Sequence, residues 1–257
     1  MAEARFKVSE RRSSMDTGEN TDLFPRLTML AEFHAIDFLG VAGIAEHHQE
    51  LEEIGGQLIH QYPRAISIGI VLQNTIVDLL EDREPYENVF QYKTHAYDVI
   101  NDRLDMFSSI AASVIKKRGY RAMPVPAAER IDSKRVCASI SHKAVARLAG
   151  FGWIGKSCLL ITPQYGPRVR WTTILTDAPL EENQEIMEEQ CGSCTQCQKA
   201  CPSQAIKGRN YREGEPRDQR LDVMKCGMYY KSMTDANKLP VCGICLYTCP
   251  HGKSDIG

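Results

Sequence analysis

The 257-residue sequence predicts an α/β chain in two parts, a larger one that alternates helices with strands and a small cysteine-rich one after it. In residues 65–72 large apolar residues alternate with small ones along most of the segment, and β-branched side chains are frequent, which is typical of a strand. Residues 95–118 place apolar side chains at three- and four-residue steps, which is typical of a long amphipathic helix. The second part is indicated by the cysteines, because eight of the ten lie in residues 191–257.

The other elements of the first part are predicted from apolar spacing and from the Gly and Pro residues at their ends. Gly119 is placed to end the long helix, and Pro124 with Pro126 marks a loop. The predicted helices cover residues 24–33, 47–60, 95–118 and 141–149, and the predicted strands cover residues 35–44, 65–72, 158–162 and 169–176.

A domain boundary is expected near residue 180, where the composition changes. Five glutamates crowd residues 181–189, just before the first clustered cysteine. Such a run is usually a solvated linker or helix face, and the alternative is a docking surface for a basic redox partner. We therefore predict a disordered segment at 1–22, an α/β domain at 23–180 and a small domain at 181–257.

Composition and charge restrict the class of protein. Hydrophobic residues make up 43% and charged residues 25%, as in ordinary globular proteins. The net charge is −2 and the only basic block is 116–118, so no nucleic-acid footprint is visible. The sequence carries no secretory h-region and no stretch long enough to span a bilayer. We expect a cytoplasmic protein without a membrane or nucleic-acid partner.

The cysteines follow the spacing of ligands for two 4Fe–4S clusters. The first motif is Cys-x2-Cys-x2-Cys-x3-Cys-Pro from residue 191, and the second is Cys-x2-Cys-x3-Cys-Pro from residue 242. Thiolates with two residues between them can bind one face of a cubane. The last Cys of each motif, followed by Pro, reaches the other cluster. This crossed ligation assigns Cys191, Cys194, Cys197 and Cys249 to cluster 1, and Cys201, Cys226, Cys242 and Cys245 to cluster 2.

Disulfides and structural zinc are the alternatives for these cysteines. Disulfides need an oxidising compartment, and zinc would use the CxxC pairs but leave the Cys-Pro ends without a reason. Cys137 and Cys158 lie among apolar residues and are expected to be buried small hydrophobic side chains. The cysteine-rich part is therefore expected to transfer electrons.

The glycine-rich segment 150–157 matches both the GxxxxGK[ST] and the GxGxxG patterns of nucleotide-binding proteins. A P-loop leaves a strand and opens a helix, so that helix amides face the phosphates. Here the predicted helix comes before the glycines and the predicted strand comes after them. The reversed order disfavours nucleotide hydrolysis and favours a close approach of the backbone to another large, flat group.

Three stretches resemble the epoxyqueuosine reductase family, together with the twin cysteine motifs. They are SHKAVARLAGFGWIGKS from residue 141, LITPQYGPRVR from residue 160 and LTDAPL from residue 175. The last two also resemble the respiratory reductive dehalogenases. Both families place a cobalamin in a nitroreductase-like domain ahead of a ferredoxin-like domain that carries two 4Fe–4S clusters and reduces the cobalt, and the resemblance implies that architecture here.

The resemblance also implies a cobalamin site and its residues. Glycines would let the chain run flat along the corrin ring, polar groups would donate to its amides, and arginines would suit its phosphate. Tyr97 and His142 are the candidate catalytic residues, although each has an ordinary structural role as its alternative. The implied cofactor-binding residues are Ser141, Lys143, Gly150, Gly152, Trp153, Gly155, Lys156, Ser157, Arg168 and Arg170.

The sequence departs from the epoxyqueuosine reductases in two places. The Asp of their Asp-x-x-Pro segment, taken as a proton donor, falls here on Val136 or Cys137, with Asp132 the nearest acid. Their tRNA-contacting extension beyond the second cluster is not in this sequence, so action on tRNA is not expected.

The motifs and the resemblance together predict a cobalamin-dependent iron–sulfur reductase. A low-potential ferredoxin or flavodoxin would deliver single electrons, which would pass through both clusters to cobalt. The substrate would be a small molecule bound over the ring or the corrinoid itself. A two-cluster electron carrier without a corrinoid is the alternative from another class, and a P-loop nucleotide-binding protein is the remaining one.

Overall fold

The structure is a computed structural model that describes residues 22–48, 51, 56–128, 139–183 and 185–253. A four-stranded antiparallel sheet forms the centre of the larger part, and a separate two-stranded hairpin lies beside it. The sheet contains β1 (Phe38–Gly43), β2 (Arg64–Val71), β3 (Ala122–Val125) and β6 (Val169–Thr176) in the order β1-β2-β6-β3, and the hairpin contains β4 (Trp153–Ile154) and β5 (Leu160–Ile161).

Strands β2 and β6 lie at the centre because each pairs with a neighbour along both edges. Their eight-residue register pairs Arg64 with Thr176 and Val71 with Val169. Six successive residues of β2 are buried, the pattern of a strand whose two faces are both covered. Within the described residues strand β3 pairs with β6 alone, and such an edge position tolerates Pro124.

Helices cover the sheet and continue into the cysteine-rich part. A π-helical turn, Thr94–Val99, joins two of them into one helical run from Tyr86 to Lys117. The α-helices are α1 (Leu23–Phe33), α2 (Asn74–Val77), α3 (Tyr86–Lys93), α4 (Ile100–Lys117), α5 (His142–Leu148), α6 (Gln196–Ala200), α7 (Val223–Asp235) and α8 (Ile244–Tyr247). Short 3₁₀ turns lie at Ala45–His47, Gly56–Gln61, Asp78–Glu81, Arg217–Gln219 and Pro250–Gly252.

Most predicted elements are found where the apolar spacing is strong. The strands predicted at 65–72 and 169–176 and the helices predicted at 24–33 and 141–149 agree with β2, β6, α1 and α5 within one residue at each end. The mixed α/β class is confirmed.

Three predicted elements differ from the structure. The helical run starts before residue 95, because a preceding helix, capped by Pro85, leads into it, and the mixed polar and aromatic residues 86–94 show no clear apolar periodicity. The strand predicted at 35–44 starts only at Phe38, after Ala35 takes a left-handed turn at φ 50°. The strand predicted at 158–162 is only the two residues of β5, and the loop predicted at the two prolines contains β3.

Some predicted segments lie partly or wholly outside the described residues. The described ends of the helix predicted at 47–60 lie in 3₁₀ turns. Residues 1–21, Asp132, Val136 and Cys137 are outside the described part. Among the helices that are described, none has the length and apolar character needed to cross a bilayer.

One hydrophobic core runs from the sheet into the cysteine-rich part. The cluster that contains Ile66 and Ile174 of the central strands also contains Val241 and Leu246. Arg83 adds a hydrogen bond between the two parts, because its Nη2 donates to the Val241 carbonyl at 2.6 Å. Packing is therefore continuous across residue 180, and the domain boundary there stays a prediction.

The glutamate-rich segment has neither helix nor strand where it is described, so of the two usual interpretations the linker applies to those residues and the helix face does not. Glu182 forms an ion pair with Arg64 at 2.7 Å, and the Asn183 amide donates to the Val41 carbonyl at 2.9 Å. The segment is thus held against β1 and β2 on its way to the cysteines. Docking of a basic partner stays a hypothesis.

Candidate metal centre

Eight cysteines lie in two neighbouring groups of four. Four of them line one cavity: Cys191, Cys194, Cys197 and Cys249. The other four lie close enough to influence one another's ionisation: Cys201, Cys226, Cys242 and Cys245. The two groups are the same as the two ligand sets predicted from crossed ligation. Their role as cluster ligands stays a prediction.

The cavity of the first group lies between the cysteine loops and the β4–β5 hairpin. Its empty volume is about 360 Å³, including space open to solvent. The hairpin contributes Gly155, Lys156, Ser157 and Ile161, and the chain after Cys249 contributes Pro250 and His251. Among the described residues, no three His, Cys, Asp or Glu side chains are placed to share a single metal ion.

The two Cys-Pro ends carry one thiol of each motif away from its helix. Cys201 ends α6 at φ −67° and ψ 110°, and Cys249 follows α8 at φ −67° and ψ 124°. A residue before proline is driven out of the helical region by the proline ring. Both cysteines therefore take the extended conformation, and each leaves its own motif for the other group.

Burial dominates the ionisation of the thiols in the first group. Burial, followed by the charges of Cys191 and Cys194, raises the pKa of Cys197 to about 11. Burial and the neighbouring thiols of its group likewise raise the pKa of Cys249 to about 11. Iron–sulfur ligands must be thiolates, so loading this cavity has to release protons.

The second group adjoins the first. Burial raises the pKa of Cys245 far above its usual value, and Cys242, Cys226 and then Cys197 of the first group add to the effect. Cys201 behaves differently, because burial opposes its ionisation but hydrogen bonds from Ser203 and from backbone amides outweigh it and lower its pKa. Cys197 and Cys245 are thus the members through which the two groups meet.

A buried ammonium lies in the wall of the first cavity. Lys156 is 5% exposed, and its Nζ donates to the carbonyls of Gly192 and Cys194 at 2.7 and 2.9 Å. Within the described chain it has no carboxylate partner, and a buried cation with only neutral partners favours an anion beside it. The segment also runs from α5 into β4, the reverse of a P-loop, so the nucleotide alternative is not supported.

The glycines before Lys156 approach the protein's own chain closely. A Cβ on Gly152 would lie 2.0 Å from the Ile161 carbonyl oxygen, and one on Gly155 would lie 3.4 Å from Cys191 Sγ. Gly150 has a left-handed φ of 78°. The close approach that the sequence predicted therefore exists, but its described partners are β5 and the cysteine loop. Contact of these glycines with a corrin stays a prediction.

Two half-buried cations lie on the side of the second group. Lys143 Nζ donates to the Cys158 carbonyl at 2.6 Å, and burial lowers its pKa. Arg170 donates to Asn101 Oδ1 at 2.9 Å through Nη2 and lies over the ring of Tyr97, 4.5 Å from its centre. Their described partners are all neutral. Cys245 of the second group influences the pKa of Lys143, and Cys245 and Arg170 both influence that of Tyr92, so this cationic pair, Lys143 and Arg170, lies near that group.

Tyr97 lies in the π-helical turn, among other aromatic side chains. Its ring meets Tyr92 edge-on, with centres 5.9 Å apart. Burial, together with the charge of Tyr97 and a hydrogen bond to it, raises the pKa of Tyr230 far above its usual value. Tyr230 therefore keeps its proton. π-Helical turns of this kind are frequent at functional sites.

His142 and Ser141 have structural partners. His142 Nε2 lies 3.0 Å from the Pro126 carbonyl, to which it donates, and Nδ1 lies 2.8 Å from Thr173 Oγ1, from which it accepts. Burial lowers the pKa of His142 to about 4, so the ring is neutral at physiological pH. Ser141 Oγ caps α5 by accepting from the Ala144 amide at 3.3 Å.

Two further predicted residues are enclosed within the protein. Arg168 is 2% exposed and donates to Asn74 Oδ1 and Asp78 Oδ1, each at 2.8 Å, which is the ion-pair alternative. Trp153 is 1% exposed and meets the edge of the His251 ring at 5.1 Å. Cys158 is buried at 4% exposure, as expected for a small hydrophobic side chain.

Sequence reasoning missed the side chains that surround the second group. Tyr230 follows Cys226 by one turn of α7, so helical periodicity could have placed it there. Tyr92 and Arg83 come from a distant part of the chain and carry no local signal.

The comparison with protein families identifies the cysteine-rich segment. The family described as the 4Fe–4S double cluster binding domain matches residues 190–252. This match confirms the prediction of a two-cluster segment.

Comparisons over the whole chain give relatives in sequence and in fold. An epoxyqueuosine reductase from Bacillus anthracis is 35% identical over 124 residues, which are 44% of this chain and 30% of that protein. The chain thus spans less than a third of that relative.

Solved structures share the fold at lower identity. A reductive dehalogenase whose structure suggests a mechanism for B12-dependent dehalogenation matches with a TM-score of 0.68 and 19% identity, over 98% of this chain and 35% of that one. An epoxyqueuosine reductase with an epoxyqueuosine-modified tRNA-Tyr stem loop matches with a TM-score of 0.55 and 19% identity, over 90% and 66%. These matches confirm the predicted α/β fold with its cluster segment.

We expect Gly243→Ala to lower the free energy of unfolding by about 1–3 kcal/mol, because overpacking adds to strain at its left-handed φ of 78°. Gly243 lies between Cys242 and Cys245 in the sequence, and a Cβ on it would lie only 2.4 Å from Tyr92 Oη. Gly227→Ala is the matched control, since it lies inside α7 with nothing within 4 Å of its Cβ. Anaerobic urea unfolding measures both. Equal stability of the two variants would contradict the packing described.

We expect the pH dependence of stability to include His142. Because the folded pKa is about 4 and the usual value is 6.5, the unfolded chain binds the extra proton as the pH falls between them. The free energy of unfolding should therefore decrease over that window, and His142→Gln should remove this part of the decrease. Urea unfolding at about pH 7 and about pH 5 tests it. A difference between wild type and variant that does not change with pH would refute the assignment.

Proposed function

We propose that this chain, a relative of the epoxyqueuosine reductases, is an iron–sulfur oxidoreductase that passes single electrons through two 4Fe–4S clusters to a corrinoid cobalt. The observation that carries the proposal is the pair of adjoining four-cysteine groups. Each group offers one thiolate for each iron of a cubane, and the two meet at Cys197 and Cys245.

The residues around the cavity fit an anionic cluster. Four thiolates and their cubane carry net negative charge, and Lys156 supplies a buried positive charge whose described partners are neutral carbonyls. In this proposal Cys191, Cys194, Cys197 and Cys249 hold cluster 1. Cys201, Cys226, Cys242 and Cys245 hold cluster 2, with Arg83 near Cys242.

The cationic pair fits an anionic or phosphate-bearing cofactor next to the second cluster. Lys143 and Arg170 are held by a carbonyl, an amide oxygen and an aromatic ring, none of which neutralises them. When bound, a corrinoid supplies the cobalt at which reductive bond cleavage takes place. Tyr97, beneath the Arg170 guanidinium, would then supply a proton to the substrate.

The proposal places the corrin differently from the sequence argument. His142 holds β6 and the loop before α5, and Ser141 caps that helix, so neither is assigned a chemical role. Gly152 and Gly155 pack on Ile161 in the wall of the cluster 1 cavity, whereas Gly150 lies against Asn183 and Glu185. Lys143, Arg170 and Tyr97 are the predicted site residues that retain a role toward the cofactor or substrate.

The proposed electron donor is a low-potential ferredoxin or flavodoxin, because reduction of the cobalt needs single electrons at low potential. The substrate is proposed to be a small molecule or the corrinoid itself. An epoxyqueuosine reductase has been solved with a modified tRNA stem loop, so such a stem loop is the competing substrate to assay. A cytoplasmic location is proposed because the thiols have to stay reduced.

We expect Cys249→Ala to remove cluster 1 and leave cluster 2, because crossed ligation gives Cys249 to the cysteines at 191–197. Anaerobic iron analysis should fall from about eight to about four atoms per chain, with one set of paramagnetic resonance signals retained. Cys201→Ala should remove the other set. Cys158→Ala is the control, since that buried thiol lies outside both groups. Loss of the same signals in the Cys249 and Cys201 variants would overturn the crossed assignment.

We expect the anaerobic protein to bind one cobalamin per chain, with a raised melting temperature because the ligand binds the native state. Lys143→Met and Arg170→Gln should weaken the binding while iron content stays unchanged. Lys116→Met, on the exposed end of α4, is the control for loss of charge alone. An iron-loaded protein that takes up no cobalamin would instead support the two-cluster electron carrier.

A further inference from the structure

The indole N–H of Trp153 is a buried hydrogen-bond donor without an acceptor of suitable geometry among the described residues. The side chain is 1% exposed, so water does not take that place. Leaving a buried polar group without a partner destabilises the folded state, and such groups are rare in folded proteins. The position of Trp153 therefore requires a reason.

Trp153 lies directly behind the cavity of the first cysteine group. It begins β4, and Gly155, Lys156 and Ser157, which line the cavity, follow two to four residues later. Its ring also meets His251, another residue that lines the cavity. The side chain thus packs against two of the segments that form the cavity.

Cys191, a member of the first cysteine group, lies within reach of this donor. The indole N–H of Trp153 and the backbone N–H of Lys156 both interact with the Cys191 sulfur. A Cβ on Gly155 would lie 3.4 Å from that sulfur, so the chain two residues after Trp153 passes at contact distance from Cys191.

We propose that Trp153 donates its indole N–H to Cys191 Sγ when cluster 1 is bound, and that it thereby raises the reduction potential of this cluster. The inference rests on the proposed function, because it needs Cys191 to be a cluster ligand. Trp153 acts through Cys191 and is a positioning residue.

The physical reason is the charge that reduction adds. One electron enters the cluster and no bond is formed or broken, so the cluster and its thiolates become more negative by one unit. A hydrogen bond to a ligand sulfur stabilises the more negative state more than the less negative one. Removing the donor should therefore make the cluster harder to reduce.

A tryptophan suits this role better than a flexible donor. Its ring is fixed by packing in β4 and against His251, so the N–H is held in place beside the cavity before the cluster is reduced. Preorganised donors need little rearrangement when charge develops.

The test is Trp153→Phe in the full-length, cluster-loaded protein, which removes the N–H but keeps an aromatic ring. Potentiometric titration followed by paramagnetic resonance should show the cluster 1 midpoint moving to more negative values. We expect about a tenfold shift of the reduction equilibrium, which is about 59 mV for one electron. The midpoint of cluster 2 should not move.

Trp171→Phe is the matched control, because Trp171 is the other tryptophan of this chain. It stacks on Phe151 with ring centres 5.6 Å apart, in the aromatic group beside the sheet. Both midpoints should keep their wild-type values in this variant. An unchanged cluster 1 midpoint in Trp153→Phe, with iron content intact, would overturn the inference and leave the proposed function standing.

A measurement on the wild type covers the case in which Trp153→Phe does not hold its clusters. The protein is labelled with indole-¹⁵N tryptophan, and electron–nuclear double resonance is recorded on the reduced clusters. A ¹⁵N coupling to cluster 1 supports the inference, and its absence refutes it. Wild-type protein that carries no iron or sulfide would refute both this inference and the proposed function.

Discussion

Each group of four thiols takes one member from the other cysteine motif, and this exchange requires the two ends of the cysteine-rich segment to fold against each other. Cys249 has to return to the loop at 191–197, and Cys201 has to reach the residues around 242. Proline after each of these cysteines ends the local helix and turns the chain outward. The rest of the structure holds this arrangement, with Arg83 and the core around Leu246 on one side and Lys156 on the other.

Positive charge is placed at both groups without a carboxylate to neutralise it in the described chain. Lys156 is bound to two carbonyls beside the first group, and Lys143 and Arg170 have only neutral described partners beside the second. Burying an ammonium in this way is costly unless a negative group is nearby. Clusters with four thiolates, and a cofactor with a phosphate, supply that negative charge. The same cations would oppose binding of a positively charged ligand.

The comparisons with known proteins cover both cysteine groups and the cations beside them. The double-cluster family covers residues 190–252, and the reductive dehalogenase fold covers 98% of the chain. The described glycine segment lies under the first cluster cavity, and the π-helical turn with Tyr97 lies near the second group. In the proposed function, electron transfer through the clusters and substrate chemistry beside Tyr97 take place on two adjoining sides of one continuous core. Such proximity suits a reductase, because the reducing clusters have to be close to the reacting atoms and shielded from water.

The sequence by itself determined how the cysteines are grouped and where the central elements lie, because both depend on local spacing. The role of the grouped cysteines as cluster ligands stays a prediction. The Cys-Pro motifs predict which cysteines belong together, and the apolar patterns of β2 and β6 predict a strand for each. Tertiary structure decided what the polar residues do. The sequence motifs place His142, Arg168 and Lys156 among the candidate site residues. In the structure their side chains contact Thr173, Asp78 and the carbonyls of the cysteine loop, respectively. Such partners lie far away along the chain, so local spacing carries no information about them, and only the folded core brings them together.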